Sequence, residues 1–269
     1  NIGTYAGYNV TDGNYNTFIG KETASDLVSG DYNIAIGWQA LHHTETGYYN
    51  ICIGSHSCSI GTINSNVTAI GYNAGYFNNT DGGLYIGANA GYSNQTGQNI
   101  ICIGNNSGYN NTNNDNTFIG YNSGYGYSTS TGQYNIGIGS NTLCNLYTGI
   151  NNVAIGNNSL TSNQTGSNNI ALGISVLNNS NQANQKYNIG IGKNALNNGQ
   201  KSYNIAIGGN FDDTTSIFST NNTIAIGPNT YLNTSNSGII KFTENANTQY
   251  PPSNTFWFGD PDNGWINLN

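Results

Sequence analysis

Short apolar runs alternate with longer polar stretches along this chain, and each run closes on a glycine. Asn33-Ile34-Ala35-Ile36-Gly37, Asn152-Val153-Ala154-Ile155-Gly156 and Asn204-Ile205-Ala206-Ile207-Gly208 are clear copies. Runs of four or five β-branched or small apolar residues read as strands, and no segment has the 3.6-residue apolar period of a helix. The closing glycines are Gly3, Gly20, Gly37, Gly54, Gly71, Gly87, Gly104, Gly120, Gly139, Gly156, Gly173, Gly192, Gly208 and Gly227, spaced by 16, 17 or 19 residues. Ile precedes all of them except Gly173, which follows Leu172. A period this short predicts one coil per repeat, stacked on the last. The expected fold is all-β: a parallel β-solenoid (β-roll) of about 14 coils over residues 1–235. Residues 236–269, where Trp257, Trp265, Pro251, Pro252 and Pro261 fall, are expected to form a short irregular C-terminal cap or junction.

Each column of the repeat carries its own constraint. The glycine should turn the chain with φ > 0 or pack closely. Three residues later the side chain is small, as in Ala40, Ser57, Ala74, Ser107 and Ser159, because a coil of this size has little interior. The next column is Gly (Gly75, Gly91, Gly108, Gly124) or Leu (Leu41, Leu143, Leu160, Leu177, Leu196). Ladders of Ile, Val and Ala are expected to fill the interior. Strand alternation adds a condition: if Ala35 and Gly190 point into the coil, Ile34, Ile36, Ile189 and Ile191 point out and need cover from elsewhere, which another subunit could supply. Four residues before the glycine stands an Asn, for example Asn16, Asn33, Asn50, Asn116, Asn152 and Asn188. A coil-to-coil amide ladder and a turn residue tolerant of the left-handed conformation both fit this column. Two-residue insertions before Gly139, Gly192 and Gly227 read as loops.

Tyrosine forms two partial stripes. Tyr8, Tyr76, Tyr92, Tyr109 and Tyr125 share the fifth position after the glycine; Tyr15, Tyr32, Tyr49, Tyr134, Tyr187 and Tyr203 share the fifth before it. Aromatic rows can pack along a fibre, form a subunit interface or hold sugars. The first stripe is the candidate interface or glycan-contact site.

Composition narrows the function. Charged residues are 6% of the chain, there is no Arg, and the five cations are lysines against 12 acidic residues. Nucleic-acid binding needs clustered cations to neutralise phosphates, so it is not expected. No apolar run approaches the ~20 residues of a membrane span. The chain opens inside a repeat with no signal peptide in view, which suggests a mature product or a segment of something longer. Cys52 and Cys102 share a column three coils apart, ~14 Å at ~4.8 Å per coil, too far for a disulfide. Cys58 and Cys144 lie in different columns, so buried free thiols are expected. His56 falls in another column from His42 and His43, so no metal cluster is expected from the histidines, and no cofactor is implied. The tight acidic pairs, Asp212-Asp213 and Asp260/Asp262, fall in irregular turns, and no catalysis is expected. Eleven Asn-x-Ser/Thr sequons occur, about the number this composition gives by chance, and leave glycosylation open.

The unit Asn169-Ile170-Ala171-Leu172-Gly173, preceded by Leu160-Thr161-Ser162-Asn163-Gln164-Thr165-Gly166-Ser167-Asn168, resembles a known array. It is similar to the Asn-Thr-Ala-Ile-Gly-x-x-Ala-Leu-x-x-Asn-Thr-Thr-Gly-x-Asn repeats of phage and algal-virus tail-fibre-like proteins and of bacterial surface proteins. The likeness runs over roughly residues 1–235. A shorter relative with the same Ala-Ile-Gly-x-x-Ala core builds the heads of trimeric autotransporter adhesins. In those adhesins the resemblance implies a trimer of parallel β-rolls that binds host matrix. The expected function is thus the structural shaft of an extracellular, cell-surface or virion fibre serving attachment. Its partners would be copies of itself, as a parallel trimer or an end-to-end filament, with surface glycans possible. The alternative is a glycan-binding solenoid lectin that uses the Tyr stripes.

Overall fold

The architecture comes from a computed structural model, which describes residues 1–61, 63–127, 130–178, 184–197, 202–209, 221–227, 238–240, 256–260 and 264–268. The chain divides into two compact units, Asn1–Ser140 and Asn141–Asn269. Both are parallel β-solenoids, and no helix occurs among the described residues. The first unit holds β1 (Thr17–Ile19), β2 (Ile34–Ile36), β3 (Thr46–Tyr48), β4 (Ile51–Ile53), β5 (Ile63–Ser65), β6 (Thr68–Ile70), β7 (Leu84–Ile86), β8 (Ile101–Ile103), β9 (Thr117–Ile119) and β10 (Ile136–Ile138). The second holds β11 (Val153–Ile155), β12 (Ile170–Leu172), β13 (Ile189–Ile191), β14 (Ile205–Ile207), β15 (Ile224–Ile226), β16 (Gly238–Ile240), β17 (Phe256–Asp260) and β18 (Gly264–Leu268). Within each unit the glycine-closed strands pair in parallel, one repeat with the next, as in Ile34↔Ile51 and Ile170↔Ile189. Strands β3 and β5 form a separate small parallel pair on another side of the coil.

The strand ends at glycine for two reasons. At every closing glycine φ lies between 111° and 143°, a region that L side chains rarely adopt. A Cβ on Gly37 would also sit 2.6 Å from the carbonyl oxygen of Gly54 in the next coil. The glycines therefore stack backbone on backbone, and no larger residue fits the column.

The interior differs from the expected Ile/Val/Ala filling. Each glycine-closed strand from β1 to β15 has three residues, and only the middle one faces in. Ala35, Cys52, Ala69, Tyr85, Cys102, Phe118, Ala154 and Ala171 are buried, while the flanking Ile34 and Ile36 are exposed and half-exposed. The reason is width: a single inward side chain per strand already fills the coil. The conditional reading of Ile34 and Ile36 is thus the one the fold adopts.

The alternation of Gly and Leu four residues after the glycine has the same origin. That residue and the strand centre of its own coil meet in the interior. Where the centre is Tyr85 or Phe118, the later residue is Gly91 or Gly124, and a Cβ there would strike the ring. Where the centre is Ala35, Gly137, Ala154, Ala171 or Gly190, the later residue is the buried Leu41, Leu143, Leu160, Leu177 or Leu196. These leucines hold φ between 49° and 54°. That conformation costs about 1–2 kcal/mol, and burying a leucine side chain, worth about 1.5–3 kcal/mol, offsets it.

The asparagine column is an amide ladder. The N–H of Asn33 donates to Oδ1 of Asn16 at 2.8 Å, and the N–H of Asn50 donates to Oδ1 of Asn33 at 3.0 Å. The Nδ2 of Asn33 donates to the carbonyl of Gly47 at 2.8 Å. The same pattern joins Asn152, Asn169, Asn188 and Asn204. The left-handed turn falls one residue earlier, at Tyr32 (φ 61°) and Asn168 (φ 60°). The ladder breaks at Val67, Gly83 and Ile100. There the buried Tyr85 hydroxyl donates to Oδ1 of Asn78 at 3.1 Å and accepts from Nδ2 of Asn94 at 2.7 Å.

Three of the expected free thiols, Cys52, Cys58 and Cys102, are buried, whereas Cys144 is half-exposed because its column borders solvent. Within the segment expected to cap the chain, β16 continues the parallel pairing with β15, and β17 aligns Trp257 with Ile239. The last pairing reverses, with β17 and β18 antiparallel. In the coils where insertions were expected, before Gly139, Gly192 and Gly227, residues 128–129, 179–183 and 210–220 lie outside the described residues. So do Asp212, Asp213 and Asp262.

Candidate functional site

Two surfaces stand out, and both are products of the repeat. The first is the outer face of the sheet. In the first unit the outward positions run Thr17, Ile34, Ile51, Thr68, Leu84, Ile101, Thr117 and Ile136 on one side of the strand centres. Ile19, Ile36, Ile53, Ile70, Ile86, Ile103, Ile119 and Ile138 run on the other. Every one is exposed or half-exposed. The second unit repeats both columns from β11 through β15, with Ile155, Ile170 and Ile207 the most exposed. Parallel strands put identical side chains above one another at ~4.8 Å, so two apolar columns merge into one ribbon.

The second surface is aromatic. Tyr76, Tyr92, Tyr109 and Tyr125 form one continuous stack, with ring centroids 5.1, 4.8 and 5.0 Å apart. Interplanar angles of 4°, 8° and 12° make it face-to-face. Tyr8 shares the column but stands away from the stack, because Ser25, His42 and Ser59 occupy the intervening coils. It is 68% exposed and meets Tyr5 edge-on at 5.2 Å. In the other stripe Tyr15, Tyr32 and Tyr49 stack at 4.9 and 5.1 Å, and Tyr187 stacks on Tyr203 at 4.9 Å. Partial burial, then the neighbouring phenols, push the Tyr92 and Tyr109 hydroxyls above the usual tyrosine range. These two inner hydroxyls therefore stay neutral at ordinary pH. Because each inner ring has a ring on both faces, what it offers outward is an edge and a hydroxyl.

A row of amides escaped the sequence reading. Two residues after the glycine, Asn73, Asn89, Asn106 and Asn122 bond side chain to side chain at 3.2, 3.1 and 3.2 Å. Their φ values of 51–55° match the asparagine preference for the left-handed turn. The fixed Asn of the Asn-Ala step was the available signal. In earlier coils Gln39 donates to Glu22 at 2.7 Å. That bond, then Lys21, lowers the Glu22 carboxyl from its usual range.

Of the three histidines, the fold places His42 and His43 together with Asp26 and leaves His56 against Trp38, with ring centroids 4.6 Å apart. Among the described residues no helix is long and apolar enough to cross a membrane. No known protein family, curated protein or solved structure matches the chain.

Proposed function

We propose that this chain is the structural shaft of an extracellular or virion fibre, that it assembles with copies of itself, and that it serves surface attachment. The observation that carries the reading is the uninterrupted outward ribbon of isoleucine, leucine and threonine. In the first unit eight coil steps of ~4.8 Å and a width of ~10 Å give roughly 400 Å² of flat, mostly apolar surface. The five further strands of the second unit present about 200 Å² of the same kind. A specific interface needs about 600–1,000 Å² per partner, so each ribbon would be the apolar centre of an interface that also buries the surface flanking it. A parallel trimer is the favoured assembly and an end-to-end filament the second. The likeness of the repeat to tail-fibre and adhesin arrays supports the same role. Nearly all other regular side chains serve coil-to-coil contacts.

The glycan-binding alternative has less support. Sugars stack on aromatic faces, and the inner rings of the Tyr76–Tyr125 stack spend their faces on each other. Mass photometry and light scattering of the full chain test the proposal. Wild type should be oligomeric, and Ile34→Lys/Ile53→Lys/Ile103→Lys should be monomeric with an unchanged β-sheet circular dichroism spectrum. A wild-type chain that stays monomeric at every concentration would remove the assembly. A glycan-array signal lost in Tyr76→Ala/Tyr92→Ala/Tyr109→Ala, with the fold intact, would favour the lectin.

A further inference from the structure

Asp26, His42 and His43 meet on one bend of the first unit. Asp26 is the sixth residue after Gly20 and His43 the sixth after Gly37, so the repeat sets one above the other. His43 Nδ1 lies 2.8 Å from Oδ2 of Asp26. The rings of His42 and His43 meet edge-on, with centroids 4.0 Å apart and planes at 78°. One donor atom from each of the three residues lies within 4.8 Å of the other two. His42 adds a second observation. Its Nδ1 is buried with no hydrogen-bond partner among the described residues, a state that costs about 1–3 kcal/mol. Packing does not demand an imidazole there, because the coils on either side place Ser25 and Ser59 in the same column.

We propose that Asp26, His42 and His43 bind a divalent transition-metal ion of the zinc, copper and nickel group, through two imidazole nitrogens and one carboxylate oxygen contributed by adjacent coils. The donor set suits these ions, which prefer imidazole over the all-oxygen shells of calcium and magnesium. Tetrahedral zinc with bonds of about 2.0–2.1 Å sets its ligands about 3.3–3.4 Å apart. The Asp26–His43 pair at 2.8 Å must open by about 0.5 Å and the other donors close by at most about 1.5 Å, within reach of small side-chain rotations. The Asp26 carboxylate is already oriented, since Ser25 Oγ donates to its other oxygen at 3.3 Å. Burial first, then the neighbouring His43, lowers the His42 imidazole from its usual range, even though Asp26 and Glu22 act the other way. A neutral imidazole is the form that ligates. Bound this way, the ion clips two neighbouring coils together.

The test titrates the full chain with Zn²⁺ by calorimetry in a non-coordinating buffer and follows Co²⁺ by its visible d–d absorption. Wild type should bind one ion per chain and melt at a higher temperature with it. His42→Ala, His43→Ala and Asp26→Asn should each weaken binding by at least about tenfold. His56→Ala, which alters a histidine outside the cluster, should bind as wild type does. The β-sheet circular dichroism signal verifies that each variant is folded. Saturable binding absent below about 1 mM, or binding in which both His42→Ala and Asp26→Asn match wild type, would overturn the site and leave only an Asp26–His43 hydrogen bond.

Discussion

Phe118 and Gly124 share one interior space, and so do Ala154 and Leu160 in another coil. The pairing makes a double-mutant cycle informative. Gly124→Leu alone should overpack against the Phe118 ring, at a cost of about 1–3 kcal/mol beyond the left-handed strain. Phe118→Ala alone should leave a cavity costing about 3–5 kcal/mol. The double variant reproduces the Ala/Leu solution of other coils and should recover much of the loss, with a favourable coupling of about 1–3 kcal/mol in urea unfolding. Additive losses would show that the two columns do not share volume. The buried ionisable groups give a second residue-scale expectation. Tyr85, Cys52 and Cys102 all have their folded pKa values raised, mainly by burial. A raised acid holds its proton in the folded state while the unfolded chain loses it. Their contribution is therefore complete below the unfolded values, about 8.5 for Cys and 10 for Tyr, and declines as pH rises through them. Thermal melts from pH 8 to 11 should show a falling midpoint, with a shallower slope in Cys52→Ala/Cys102→Ala.

At the scale of the element, the asparagine ladder and the tyrosine stack look alike in sequence and differ in energy. Asn169 Nδ2 donates to the Gln185 carbonyl at 2.7 Å, and its Oδ1 accepts the N–H of Asn188 at 3.1 Å. Asn169→Ala removes these bonds and leaves the buried N–H of Asn188 without its acceptor, for a loss of about 2–5 kcal/mol in chemical denaturation. Tyr49→Asn exchanges one residue found in its column for another. It should cost no more than the stacking term, about 0.5–1.5 kcal/mol. Equal losses in the two variants would contradict this division. The sequence carried the strands, the closing glycine and the small third column because each is a strict backbone or steric demand repeated many times. It did not decide which way Ile34 and Ile36 face, since a strand period marks two faces without saying which is inside. That depended on the coil being too narrow for more than Ala35. The Tyr76–Tyr125 stripe was legible as a column, but the face-to-face stacking that governs its chemistry was not. The meeting of Asp26 with His42 and His43 was hidden although Asp26 and His43 share a column, because only the histidines attracted notice.

At the scale of the whole molecule, a solenoid gains its stability from contacts between neighbouring coils, so whole coils are exchangeable units. The second unit offers a clean case. Removing residues 157–173 joins Gly156 to Ile174 and deletes one repeat. The new coil keeps Ala154 as strand centre and gains Leu177 four residues after the glycine, a pairing of the kind already present at Ala171 and Leu177. It also sets Asn152 beside Asn188, so the ladder that ran through Asn169 closes again with the same bonds. This variant should keep its β-sheet spectrum and unfold cooperatively, with only a modest loss in melting temperature. Removing residues 157–164 deletes fewer residues but breaks the period, so that the residues after Gly156 no longer match the left-handed and inward positions of a coil. That shorter deletion should lose most of the β-sheet signal or melt far lower. If the two deletions were equally tolerated, register between coils would not be what holds the fold, and the glycine and asparagine columns would lose their explanation together.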